Sequence, residues 1–113
     1  MYREHLESDE IRRALAGWVV GETDHEQAYE RMVVYSTIAM ESFTTGELLE
    51  LAEKHGVPLD TLELDRTLSR LELAFVLGRR EKRWFYRVPL FVDYIAEDSP
   101  ELKLQAELKR ISQ

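Results

Sequence analysis

Cysteine is missing from all 113 residues, which excludes disulfides and thiolate metal sites. Proline (three residues) and glycine (five) are sparse, and they form no tract that would read as a linker or a disordered arm. No apolar run approaches the ~20 residues of a membrane-spanning helix, and the N-terminus lacks the pattern of a signal peptide. A cytoplasmic location without membrane contact is therefore expected. Cations are outnumbered, 15 Lys and Arg against 22 Asp and Glu. The resulting net charge of −7 opposes generic nucleic-acid affinity, whose main non-specific term is phosphate neutralisation.

Reaction chemistry is also missing. No Ser, Thr or Lys stands in a nucleophile motif, and the carboxylates lie mostly on polar helix faces. Three histidines, His5, His25 and His55, raise the question of a metal. HEQAY, from His25, starts like a zinc-protease helix, but Tyr29 occupies the place of the second histidine, so two ligands cannot share one face. No catalytic residue, cofactor or metal is expected, and no enzyme.

What is there is 44 % apolar content, enough for a single domain with one core. A first helix is expected over about 8–20, capped by Ser8, with Ile11, Leu15 and Trp18 as its stripe. Thr23 or Asp24 caps a second helix, to about Met40, that is apolar on nearly all sides and so should be sandwiched. Thr44 and Glu47 form a capping box ahead of a helix that Gly56 ends, and Asp60 with Glu63 opens the next, to about Leu73, burying Leu64, Leu68, Leu71 and Phe75. Ser99 and Pro100 start a last helix, to about Ile111.

Residues 74–88 carry the clearest local grammar. Phe75, Val76 and Leu77 lead through Gly78 into a charged tip, Arg79 to Arg83, and then into Trp84, Phe85 and Tyr86: a hairpin, which Pro89 ends while opening a short helix. Five cations stand here against Glu81, a local +4 that leaves −11 for the remainder. Any anion-binding surface should be this hairpin. Of its aromatics, at least one strand face belongs in the core rather than against bases.

Helix, capped helix, turn, helix and two-stranded hairpin is the layout of a winged helix. At YRVPLFVDYI, residues 86–95, the chain resembles more particularly the C-terminal winged helix of P-loop ATPases of the archaeal-ATPase and origin-recognition-like group. FTTGELLELAEKHGVPL and LDRTLSRLELAFVLGRREKRWFYRVPLF carry the likeness over residues 43–94. The motor has no counterpart, since no GxxxxGK[ST] loop exists here. The expected fold is α+β, mainly α: a winged helix-turn-helix over about 24–94, with additional N-terminal and C-terminal helices (about 8–20 and 100–111) in one domain, 1–113. The resemblance implies a non-catalytic module that packs on a motor domain and transmits the binding of a partner.

Two sets of candidate residues follow. Nucleic-acid contact falls to Arg79, Arg80, Lys82 and Arg83 of the hairpin, with Arg66 and Arg70 on the helix before it. Leu62 and Leu73, on that helix's outward side, suit a protein surface better than a groove lined with acceptors. Leu104, Leu108 and Ile111 form a terminal stripe that needs cover from the domain's own body, a second copy or an ATPase domain. A protein partner is expected, with weak DNA contact through the hairpin; the contrasting reading is a stand-alone DNA-binding regulator acting as a homodimer.

Overall fold

Thr23 opens the first described helix by a reciprocal cap: its hydroxyl accepts from the Glu26 N–H at 3.1 Å, and the Glu26 carboxylate accepts from the Thr23 N–H at 3.1 Å. The computed structural model describes residues 17–112, and this helix, α1, is Asp24–Thr37. Thr44 and Glu47 repeat the device for α2 (Thr45–Lys54), which ends at Gly56 in the left-handed region (φ +74). Asp60 alone caps α3 (Thr61–Leu73), accepting from Leu62 and Glu63 N–H; the Glu63 side chain turns to Arg70 instead. Strands β1 (Leu77–Arg80) and β2 (Arg83–Tyr86) pair antiparallel, with Leu77 opposite Tyr86. Pro89 is the first residue of α4 (Pro89–Ala96), and α5 is Pro100–Ser112. The described residues are thus mainly helical with one small antiparallel sheet, an α+β arrangement.

α1 is the centre. Tyr29, Met32, Val33 and Val34 are buried on different sides of it, because α2, α3 and α5 all pack against it, α5 most extensively. Leu64, Leu68 and Leu71 bring α3 into the same core, and Phe43 joins it from the α1–α2 connection. Phe43 and Trp84 exchange backbone hydrogen bonds at 2.9 and 2.7 Å, so a one-residue third strand ties this connection to the hairpin. Aromatic rings continue the core: Tyr86 stacks on Phe91, which meets Trp18 edge-on, and the Tyr86 hydroxyl lies 2.6 Å from Thr37 Oγ1. Among the described residues no helix is long and apolar enough to cross a membrane.

Several expectations are corrected. The helix expected over 8–20 lies mostly outside the described residues, but residues 17–20 are turn and irregular chain, so it does not reach Val20. α1 stops at Thr37, where Met40 N–H turns back to the Thr37 carbonyl. Ser99 has φ +52, not the extended backbone of a capping residue. Arg79, Arg80 and Arg83 belong to the strands; the turn is only Glu81 and Lys82, both at positive φ (50 and 70), the signature of a type I′ turn built without its usual Asn-Gly.

Phe75 departs furthest. Val76 N–H bonds the Leu71 carbonyl and Phe75 N–H that of Glu72, a Schellman closure of α3 with Phe75 as the left-handed residue (φ +63) where glycine is usual. That backbone costs a bulky residue roughly 1–2 kcal/mol. It also swings the ring out of the leucine stripe, leaving Phe75 67 % exposed while Val76 takes the buried place.

Candidate functional site

At 100° per residue, Leu62, Arg66, Ser69 and Leu73 share one side of α3, with Asp65 and Glu72 beside them, and all six are exposed. Leu62 is 59 % and Leu73 80 % exposed, roughly 16 Å apart along the helix at ~1.5 Å rise per residue. Two leucines bracket one cation and two acids. That surface is mixed, neither basic nor acceptor-seeking.

Arg70 does not belong to it. Its guanidinium is largely buried and turned toward α1, within 3.4 Å of a Glu26 oxygen, 3.8 Å of Glu30 and 3.9 Å of Glu63, with Thr67 Oγ1 accepting at 3.1 Å. As a candidate phosphate contact it is therefore withdrawn: reaching a phosphate means leaving three carboxylates. Glu30, fully buried, is the hub of this cluster. Its carboxylate accepts from Val20 N–H (3.1 Å) and Gly21 N–H (2.5 Å), pinning the approach to α1. Burial pushes Glu30 above the usual carboxylate range, although the Gly21 amide and Arg70 pull it back. Arg66 is exposed and has no ion pair with a described residue.

The hairpin cations are not equivalent. Arg79 lies over the Trp84 ring (5.4 Å to the centroid) and Arg80 over Phe85 (5.8 Å). Lys82, in the turn, is exposed. Arg83 is tied down, donating to Ser42 Oγ at 2.8 Å and lying 3.0 Å from Glu47. Close approach explains Gly78: a Cβ there would collide with Phe85 Cζ, because the far edge of that ring occupies the side-chain space. Of the aromatic run, Trp84 is buried and Tyr86 half-buried in the core, as strand alternation demands.

The terminal stripe has found its cover. Leu104 and Leu108 are buried and Ile111 half-buried, packed on the core through the α1–α5 contact. Arg31 reaches the buried Glu107 at 3.5 Å across that contact, and Arg110 supports Glu107 at 2.8 Å. Leu104 and Leu108 are therefore withdrawn as interface candidates, and Ile111 with them, since a second copy or motor domain would have to displace α1. Leu102 is the exposed leucine of α5 instead.

Phe75, Arg87 and Val88, none of them among the candidate residues above, come together at the foot of the hairpin. Arg87 N–H bonds the Val76 carbonyl at 3.1 Å, extending the hairpin ladder, and its guanidinium lies over Phe75 at 5.4 Å. The only signal was Arg87 in the local charge count. His25, of the HEQAY segment, packs on Tyr29, ring centroids 5.0 Å apart. Among protein-family models, curated proteins and solved structures, the chain finds no match.

Proposed function

We propose that this chain is a non-catalytic interaction module of the winged-helix type, resembling the C-terminal regulatory domain of a P-loop ATPase. The outer face of α3 meets a protein partner, and the hairpin adds weak, sequence-independent contact with DNA. The observation that carries this reading is the outer face of α3, where Leu62 and Leu73 stand in solvent beside acids while Arg70 is turned inward. A helix that reads a major groove presents donors to base edges and cations to phosphates. Support for the winged-helix layout comes from the order α1, bridging Phe43, α2, α3 and hairpin, with the bridge joining the hairpin to the strand position between the first two helices. Arg66 is the residue that favours the contrasting reading, a dimeric DNA-binding regulator.

Fluorescence anisotropy on a labelled random duplex separates the two. Arg80→Glu with Lys82→Glu should abolish whatever binding the wild type shows at low salt, since both are exposed hairpin cations. Removing one cation from a phosphate lowers the log–log salt slope by roughly 0.9. Binding that persists unchanged in the double variant, or is tight and sequence-selective at physiological salt, favours the regulator.

A further inference from the structure

At the foot of the hairpin the described residues Gly17, Trp18, Ala74, Phe75, Val76, Val88 and Phe91 line an apolar cleft of about 180 Å³. A cavity of roughly 150 Å³ takes one benzene ring, so this cleft is sized for a single large apolar side chain. One wall is the exposed Phe75, kept in a left-handed backbone that glycine would adopt without strain. A bulky residue retained against the local rule is where function is to be sought. Beside it runs a basic face. Phe85 and Arg87 alternate onto one side of the hairpin, and Arg80 and Arg83, directly opposite one another, share that side. Glu47, 3.0 Å from Arg83, already relieves the repulsion between these facing cations, so Arg80 and Arg87, both exposed and without an ion pair to a described residue, are the cations this side offers.

We infer that this face docks an extended acidic segment of a protein partner, with one large apolar side chain entering the cleft between Phe75 and Val88 and carboxylates meeting Arg87 and Arg80. The inference rests on the reading of the chain as a binding module, but uses a surface separate from the outer face of α3. Charge selects the occupant, since the hairpin segment is +4 in a chain of −7. Ring occupancy argues against single-stranded nucleic acid. Successive bases need a row of open aromatic faces, whereas Trp84 is buried and Phe85 lies between Arg80 and Gly78, which leaves Phe75 alone, with Arg87 on one of its faces. Guanidinium groups stacked on rings keep their N–H edges for carboxylates.

The test is an amide NMR titration of the full chain with three probes: a capped Asp/Glu-rich nonapeptide with one central Phe, the same peptide with Ser in its place, and an oligothymidylate. The Phe peptide should shift the amides of Ala74, Val76 and Val88 and saturate, and the Ser peptide should bind about tenfold more weakly. Arg87→Glu should weaken the Phe peptide by about the same factor. Phe75→Gly should do so too while raising the melting temperature, which separates a binding role from a structural one. Replacing Leu62 and Leu73 by Ser should leave peptide binding unchanged, so failure here and failure of the α3 reading are distinguishable. The inference is overturned by any of four results: no shift; equal binding of the Ser peptide; tighter binding of the oligothymidylate; or concentration-dependent shifts of these amides without any probe, which gives the face to a second copy. Contacts from the Ile11 or Leu15 side chains into the cleft of the free protein would assign it to the chain's own N-terminal stripe and overturn it as well.

Discussion

Leu68→Ala should lower the unfolding free energy by about 2–5 kcal/mol, whereas Leu62→Ala should leave it nearly unchanged, both read by urea denaturation of the full chain. Leu68 is fully buried between Leu64 and Leu71, in a core that α1 closes from the other side, so truncation leaves a cavity that rigid neighbours cannot refill. Leu62 lies on the opposite face, already in solvent, and shortening it removes little packing. The contrast matters for function as much as for stability. A leucine that does nothing for the isolated fold, on the side of the helix a partner would meet, is available to an interface. Equal large losses at both positions would mean that α3 is rotated and that its outer face is a different set of residues.

Glu30→Ala should cost about 3 kcal/mol, the second large effect. The substitution removes the acceptor of the Val20 and Gly21 amides and takes from Arg70 one of its three carboxylates. A buried N–H is left without a partner, and the chain entering α1 loses its anchor. The pH dependence has a definite sign. Because burial raises the Glu30 pKa in the folded state, the stability linked to its protonation is fully present below the ordinary carboxylate pKa and is lost as pH rises through the folded value. Glu26 behaves oppositely: held low first by the Thr23 amide, its share is present above the ordinary value and lost as pH falls through the folded one. Carboxyl-detected NMR should therefore find Glu30 titrating at higher pH than Glu26. The reverse order would mean that the amides and Arg70 outweigh desolvation at Glu30.

What could be read from the sequence was what is decided locally. Thr23 with Glu26, Thr44 with Glu47, Gly56 and Pro89 each act within a few residues, and each stands where its chemistry predicts. Leu64, Leu68 and Leu71 were legible for the same reason, as a helical period. Phe75 was not, because four residues beyond Leu71 an apolar side chain continues the stripe, and the glycine that normally announces a left-handed closure is missing. The turn at Glu81 and Lys82 hid behind the same kind of substitution. Arg70 failed differently. Glu63 stands seven residues before it, beyond the three- and four-residue spacings of helical pairs, and Glu26 and Glu30 arrive from another helix, so only packing decides that the guanidinium turns inward. Glu30 itself offered one clue, an acid on a helix already expected to be apolar all round.

Whether the outer face of α3 meets protein is tested most directly by placing a photo-crosslinking residue at position 62 or 73 of the native protein in its own cells, with position 50 on α2 as control. Both α3 positions should yield the same discrete protein adduct. Replacing the other leucine by Glu should remove that adduct, and position 50, though also exposed, should not give it. Adducts to DNA alone from 62 and 73, or the same protein adduct from position 50, would contradict a protein-binding face on α3.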